Sequence, residues 1–576
     1  MSTTFTERNL TSNMTFTERN LSSKIKTTQK KHGQKRRKQR PETFEDLLQL
    51  LGSFGRYQIV YWLFFRILLT TIVSTPEMVV DRSIYNCDGL LDMRGLSEMC
   101  ALAEEEEAES GRTALNCSVV KNQEFTTIVT LHKNDFKDLE CGARAFADRV
   151  KIVNVMARVF SALIFGQLIS TVGRKWVRAF MCLLSSYLLH ACCTSLWVAS
   201  QNRHFTLVFS VFHGATHAGW WLSVDLILIE LIVPKDRIFF FSIDGAHFAA
   251  LARVACLYLV FDFRIPFVVL GIVGVLVCIP AFFLLHESPR WLLSQGNATQ
   301  ADKVLQRIAK CNRRPVIPLS TVERLCRFMS YTPGLKADRV TSYNSMFRSP
   351  KITRIFLTVA ALWFILWFTS GLLDSEIESL ILELRYAVLG PNTAPWALAT
   401  FAIIGRVSVL LIDFRFRLRR RPAIGIASGI MLVIAIIMLI LRQMTDDRRF
   451  VAQQEHASLK LLLFMISECA VHGLSVSLTV ITLELHPTAL RSQGYAVSYI
   501  MSHLGRLAAQ GISKSVIGLG FFEEIVSVVL LFIALVLISF VLPESRDVNL
   551  ADKLPAKRAF TFNRPTIRPK EEPLEE

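Results

Sequence analysis

Apolar residues in this chain come in blocks of about twenty, set apart by polar connections. That length spans a hydrocarbon layer of roughly 30 Å at about 1.5 Å of helical rise per residue. Inside such a layer the backbone must bond all of its own N–H and C=O groups, so each block reads as a helix. The pattern predicts spans at 57–80, 149–169, 176–199, 205–233, 238–260, 265–286, 353–373, 394–413, 423–442, 458–485, 493–516 and 521–542. The long polar stretch 287–352 divides these twelve into six and six. The expected organisation is therefore a basic tail with an amphipathic segment (1–56), a six-helix half (57–286) that includes a loop at 81–148, a central loop (287–352), a second half (353–542) and a tail (543–576).

Composition agrees: 51% of residues are hydrophobic and the mean hydropathy is +0.37, too apolar for an ordinary soluble enzyme. Nothing in the polar first 55 residues resembles a short apolar stretch with a cleavage site, so no cleaved signal peptide is expected. The net charge of +17 raises the question of nucleic acid, and the run Lys24 to Arg40 that of a nuclear signal. Positive charge beside spanning helices more simply sets topology, so no nucleic-acid partner is expected. Arg174 and Lys175, Lys235 and Arg237, and Arg415, Arg417, Arg419, Arg420 and Arg421 fall on one side. Glu104 to Glu107, Asp374, Glu376 and Glu378 fall in the opposite loops, which makes both termini cytoplasmic. The basic tail is suited to anionic lipid on that face. A tandem copy, Thr4 to Leu10 and Thr15 to Leu21, lies in this tail and reads as drift.

Loop 81–148 falls outside the cell in this topology and holds Cys87, Cys100, Cys117 and Cys141. Four cysteines there predict two disulfides, with all three pairings open, and favour the plasma membrane over an internal one. The other eight cysteines are expected to be reduced. Asn116-Cys117-Ser118 is a glycosylation sequon in the same loop, in competition with early oxidation of Cys117.

Four spaced motifs carry a family resemblance. His286-Glu287-Ser288-Pro289-Arg290-Trp291-Leu292 resembles the segment after span six of solute carrier family 22, the organic cation, carnitine and organic anion transporters of the major facilitator superfamily. Phe44 to Leu48 with Gly52 to Gln58 resembles its opening amphipathic segment, Glu484-Leu485-His486-Pro487-Thr488 with Arg491 its turn after span ten, and Leu542-Pro543-Glu544-Ser545 its closing motif. The resemblance implies an all-α integral membrane protein with two six-helix halves around a midplane cavity, and alternating-access transport of small organic ions by uniport or exchange. It implies gating roles for Glu287, Arg290, Glu484 and Arg491, against a plainer reading as caps and anchors; Trp291 fits the anchor. The superfamily motif between spans two and three stands here as Gly166 to Lys175. Gly166, Gly173, Arg174 and Lys175 are kept, but Ser170 and Thr171 replace the charged pair, so one latch is missing.

Charges inside spans need a partner or a pathway. Arg66, Arg158 and Arg406 are expected to pair with buried carboxylates, and Glu230 is structural or gating. For the substrate, the resemblance leads to Asp225 and Asp374, which replace family tyrosines, and to His503, placed where cation carriers have aspartate and anion or carnitine carriers arginine. Trp363 and Trp367, four apart on one helical face, offer indole faces to a cation. For these the plainer readings are helix packing and a hydrogen-bonded histidine. No catalytic constellation, phosphate loop or metal pattern stands out, so neither an enzyme nor a cofactor is expected. The substrate expected is a small organic cation or zwitterion within a lipid bilayer, with oligomeric state open. The competing reading is a degenerate, non-transporting relative acting as a receptor or scaffold.

Overall fold

The structure is a computed structural model that describes residues 41–52, 54–69, 84–87, 114–121, 124–132, 142–175, 203–245, 248, 272, 276, 286–330, 342–347, 349–385, 393–446, 451–515, 522–546 and 548–551. Among them, five helices are long and apolar enough to cross a membrane.

The chain opens on a short amphipathic helix, α1 (Phe44–Leu51), started by a capping box in which Thr43 accepts from the Asp46 N–H and Asp46 accepts from the Thr43 N–H. The first span follows as α2 (Arg56–Tyr61), which passes into a π-helical stretch at Trp62–Leu69 carrying Arg66. Then come α3 (Gly142–Thr171) and α4 (Arg203–Leu231), packed along each other, and α5 (Arg237–Ser242). Helix α5 stops at Ile243, whose backbone is extended, so the expected span from 238 is interrupted immediately before Asp244.

Between the halves lie three shorter helices, α6 (Pro289–Ser294), α7 (Ala298–Cys311) and α8 (Leu319–Ser330). Their apolar faces, including Leu293, Leu305, Ile308 and Val322, share one core with Phe44, Leu47, Leu48 and Leu51 of α1. Asn312 fastens this platform to the first span: its amide donates to the Leu51 carbonyl and Gln58, and its oxygen accepts from the Tyr57 N–H. The end of the bundle that carries the platform is called the platform end below.

The second half comprises α9 (Pro350–Arg385), α10 (Thr393–Phe416), α11 (Arg420–Asp446), α12 (Val451–Leu485), α13 (Arg491–Ser515) and α14 (Phe522–Phe540). Small residues let these helices approach closely; a Cβ on Gly405 of α10 would lie 2.1 Å from the Cys469 carbonyl oxygen of α12. Helices α3 and α13 pack across the two halves.

Two elements differ from the hydropathy reading. Helix α9 runs on to Arg385, so Asp374, Glu376 and Glu378 lie on a helix and not in a loop. Within the segment 81–148, three strands form an antiparallel sheet in the order β1 (Ile84–Cys87), β2 (Ala114–Lys121), β3 (Glu124–His132). The expected third span (176–199), the tails 1–40 and 552–576, and Cys100 and Cys141 lie outside the described residues.

Candidate functional site

Two ion clusters at the platform end are copies of one another. In the first half, Glu230 of α4 is fully buried and accepts from Arg174 at 2.7 Å, from Arg491 at 2.9 Å and from the Ser288 hydroxyl at 2.5 Å. In the second, Glu484 of α12 pairs with Arg420, accepts from Arg237 at 2.7 Å and from the Ser545 hydroxyl at 2.7 Å. Each cluster has an arginine of its own half, Arg174 or Arg420, and one that crosses from the other half, Arg491 or Arg237. The copy extends to the caps. Glu287 accepts from the backbone N–H groups of Arg174 and Lys175, both at 2.9 Å, and Glu544 accepts from those of Arg420 and Arg421, both at 3.1 Å. A carboxylate at a helix start meets bare N–H groups and the positive end of the dipole.

The residues expected to gate thus divide. Glu484 and Arg491 stand in the cross-half clusters. Glu287 is a cap, and Gly173, at φ +108°, leaves room for it: a Cβ there would lie 2.8 Å from Glu287 Oε2. Arg290 turns away from the halves, donates to Glu45 of α1 at 2.5 Å and lies 4.4 Å over the Phe44 ring. Gly166 marks the close approach of α3 to α13, where a Cβ would stand 2.6 Å from that of Ala496. Next to it Gln493 donates to Gln167 at 2.7 Å across the halves. Ser170, in place of an acid, donates its hydroxyl back to the Gln167 carbonyl at 2.7 Å, and its carbonyl accepts from the Trp291 indole N–H at 3.3 Å.

The cross-half clusters were not legible as a pair in the sequence, though one signal was present. Glu-Ser recurs after the sixth and twelfth expected spans, as Glu287-Ser288 and Glu544-Ser545.

A second charged layer lies deeper. Asp225 of α4 pairs with Arg66 and accepts from the Tyr495 hydroxyl at 2.5 Å. Asp244, at the interruption after α5, accepts from Arg406 at 2.5 Å and lies 3.7 Å from Arg66. Tyr495 and Arg406 come from the second half, so this layer also joins the halves. Arg66, Trp220, Trp221, Val224, Asp225 and Asp244 line a closely packed crevice with no room for a water molecule.

Asp225 and the tryptophans have separate partners. Trp363 is packed in the core of the second half and donates its indole N–H to Thr482 at 2.9 Å. Trp367 already receives a cation, the Arg506 guanidinium, 4.5 Å from its ring centroid, and lies edge-on to His472, which sits 3.1 Å from Glu468. Asp374 lies on α9, and its side chain is outside the described part. His503 packs edge-on against Tyr499 with centroids 4.4 Å apart. Tyr499 meets His217 of α4 at 2.9 Å, and His217 stacks on Trp221. His217 was not singled out by the sequence reading.

The Major Facilitator Superfamily sequence profile matches residues 152–510. The chain belongs to that superfamily. Members of solute carrier family 22, the family that the four motifs resemble, are among its relatives. Solute carrier family 22 member 4 of Mus musculus is 23% identical over 401 residues, covering 68% of this chain and 66% of the relative. Organic cation/carnitine transporter 2 of Homo sapiens is 23% identical over 407 residues, covering 69% and 66%. The chain therefore spans just under two thirds of these relatives' own length. Among solved structures, the proton:xylose symporter XylE bound to 6-bromo-6-deoxy-D-glucose superposes with a TM-score of 0.57 over 87% of this chain and 98% of that one. At 13% identity this likeness shows the fold, that of a multi-pass membrane protein of two helical halves.

Proposed function

We propose that this major facilitator protein is an alternating-access carrier of small organic solutes, and that its solute carries a carboxylate as well as a cationic group. One observation carries the carrier reading. The halves are joined at the platform end by exchangeable ion pairs, Glu230–Arg491 and Glu484–Arg237, while each glutamate keeps a second arginine of its own half. Losing the cross-half partner then leaves neither glutamate as a bare buried charge, which lowers the cost of opening.

The zwitterion follows from which charges are spent. Asp225 is held by Arg66 and Tyr495 and does not attract a free cation. Donors remain: the indole N–H groups of Trp220 and Trp367 are buried and meet no acceptor among the described residues. A cationic end is accommodated by the carboxylate of Glu468, beside His472. One relative bears the name organic cation/carnitine transporter, which agrees with such a solute. Charge placement puts both termini in the cytoplasm and the outer-loop cysteines favour the plasma membrane.

Uptake of labelled cations, zwitterions and anions by cells expressing the full chain, normalised to surface biotinylation, tests this. Zwitterions are expected to be taken up best. The replacement of the motif's charged pair by Ser170 and Thr171 favours a second reading, a non-transporting receptor or scaffold, which predicts no uptake at normal surface level.

A further inference from the structure

Two stripes of side chains face each other across the halves. On α4, His213, His217, Trp221 and Asp225 recur every four residues; on α13, Tyr495, Tyr499 and His503 do the same. They meet as rungs. Glu230 with Arg491 lies at the platform end, Asp225 with Tyr495 comes next, and His217 with Tyr499 lies farther along. The lower rungs hold fixed charges. The His217 rung alone is built on a group that changes charge near neutral pH.

We propose that His217, bridged to Tyr499, binds a proton together with the carboxylate of the solute and so links solute capture to the joining of the halves. This rests on the carrier reading above. With His217 neutral, its Nδ1 accepts the Tyr499 hydroxyl proton. With the ring protonated, Nδ1–H donates to the Tyr499 oxygen and the hydroxyl proton turns elsewhere. The proton comes from hydronium in bulk water and forms one N–H bond on the ring; no other covalent bond changes.

The surroundings decide what a protonated ring attracts. From α3, Arg158 donates to Asn154 at 2.8 Å, and Asn154 in turn lies 3.1 Å from His213. From α13 come Tyr495, Tyr499, His503 and, one turn on, Arg506. Among the described residues, the acids that line the same crevice as Trp221 are Asp225, engaged by Arg66 and Tyr495, and Asp244, engaged by Arg406 and Arg66, so each is already matched by an arginine. Protonating His217 therefore adds a positive charge to a basic neighbourhood, which favours a carboxylate as the third member.

The stacked indole supplies a readout. His217 and Trp221 are 5.7 Å apart at 13°, close enough for an imidazolium to quench the indole. The test is a pH titration of tryptophan emission on the purified full-length protein, taken as the difference from Trp221→Phe, with and without propionate. We expect a Trp221-dependent step between pH 5.5 and 7.5 that propionate moves to higher pH, that His217→Gln abolishes and that Tyr499→Phe displaces. Because only the protonated ring pairs with the carboxylate, propionate should bind tighter on the acid side of the step than on the alkaline side. No step, a step that survives His217→Gln, or one that propionate leaves in place overturns the proposal. The titration needs no transport. An intact propionate-dependent step without uptake would reject the carrier reading and keep this site, and uptake without the step would do the reverse.

Discussion

Asp225 shows how a buried charge is judged by its partners. It first reads as a lure for cations, since charge in a span demands a use. The structure gives it Arg66 and Tyr495, which turns it into part of the frame. Breaking such a pair leaves an uncompensated charge, so Asp225→Asn is expected to destabilise by about 3–5 kcal/mol, whereas Arg66→Met with Asp225→Leu should recover most of it. Thermal melting of the purified variants checks this; equal loss in single and double variants would contradict it. Existence of a partner was legible here, but its identity was not, because Arg66 and Asp225 lie on different spans. His486 gives a second case, just past the end of α12. Burial, aided by Arg491, holds its imidazole down at about 4 against an ordinary 6.5. The folded ring is neutral while an unfolded one charges below 6.5. Stability is therefore unaffected above about pH 6.5 and falls as the pH drops from there to about 4, by about 3 kcal/mol in all. Melting temperature should drop over that window, and His486→Gln should remove this part of the drop; an unchanged pH profile in the variant would contradict the assignment.

At the scale of elements, hydropathy located the long helices well, because length and apolarity are what a bilayer demands. Helix α12 was expected at 458–485 and runs Val451–Leu485. What it missed depends on features that hydropathy does not weigh: the π-helical stretch around Arg66, the interruption at Ile243, and the extension of α9 through Asp374. The sheet in 81–148 was overlooked although Thr126, Thr127, Ile128, Val129 and Thr130 in β3 are the β-branched residues that favour strands. Its register narrows a choice left open. Cys87 of β1 stands directly opposite Cys117 of β2. Opposite positions of an antiparallel pair are about 4.5–5.5 Å apart at Cα, inside the range a disulfide spans. We therefore predict Cys87–Cys117 and, by remainder, Cys100–Cys141. Non-reducing peptide mapping should recover these two pairs, with Cys311, Cys326 and Cys469, all free thiols here, alkylated. Recovery of Cys87 with Cys100 or Cys141 would contradict the register. Because the bridge consumes the middle residue of the sequon, early oxidation should lower occupancy at Asn116, and Cys117→Ser should raise it on a glycan-shift gel.

For the whole molecule, the central claim is that two matched clusters hold the halves together at the platform end and release them in turn. Each half closes its own pair, Arg174 with Glu230 and Arg420 with Glu484, and lends an arginine to the other. The motif between spans two and three gave half of this; the copy became visible only when Arg237 and Arg420 were seen beside Glu484. Arg237→Gln with Arg491→Gln removes both crossing arginines and leaves each glutamate paired, so the fold should survive. Charge-assisted hydrogen bonds of this kind are worth about 1.5–3 kcal/mol each, enough to invert a closed-to-open ratio. The most direct measurement is the distance distribution between site-specifically incorporated spin labels at position 172, just past the platform end of α3, and position 416, at the platform end of α10. We predict a population at longer distance in the double variant that is minor in the parent protein. An unchanged distribution in a folded double variant would contradict the claim that these clusters hold the halves together.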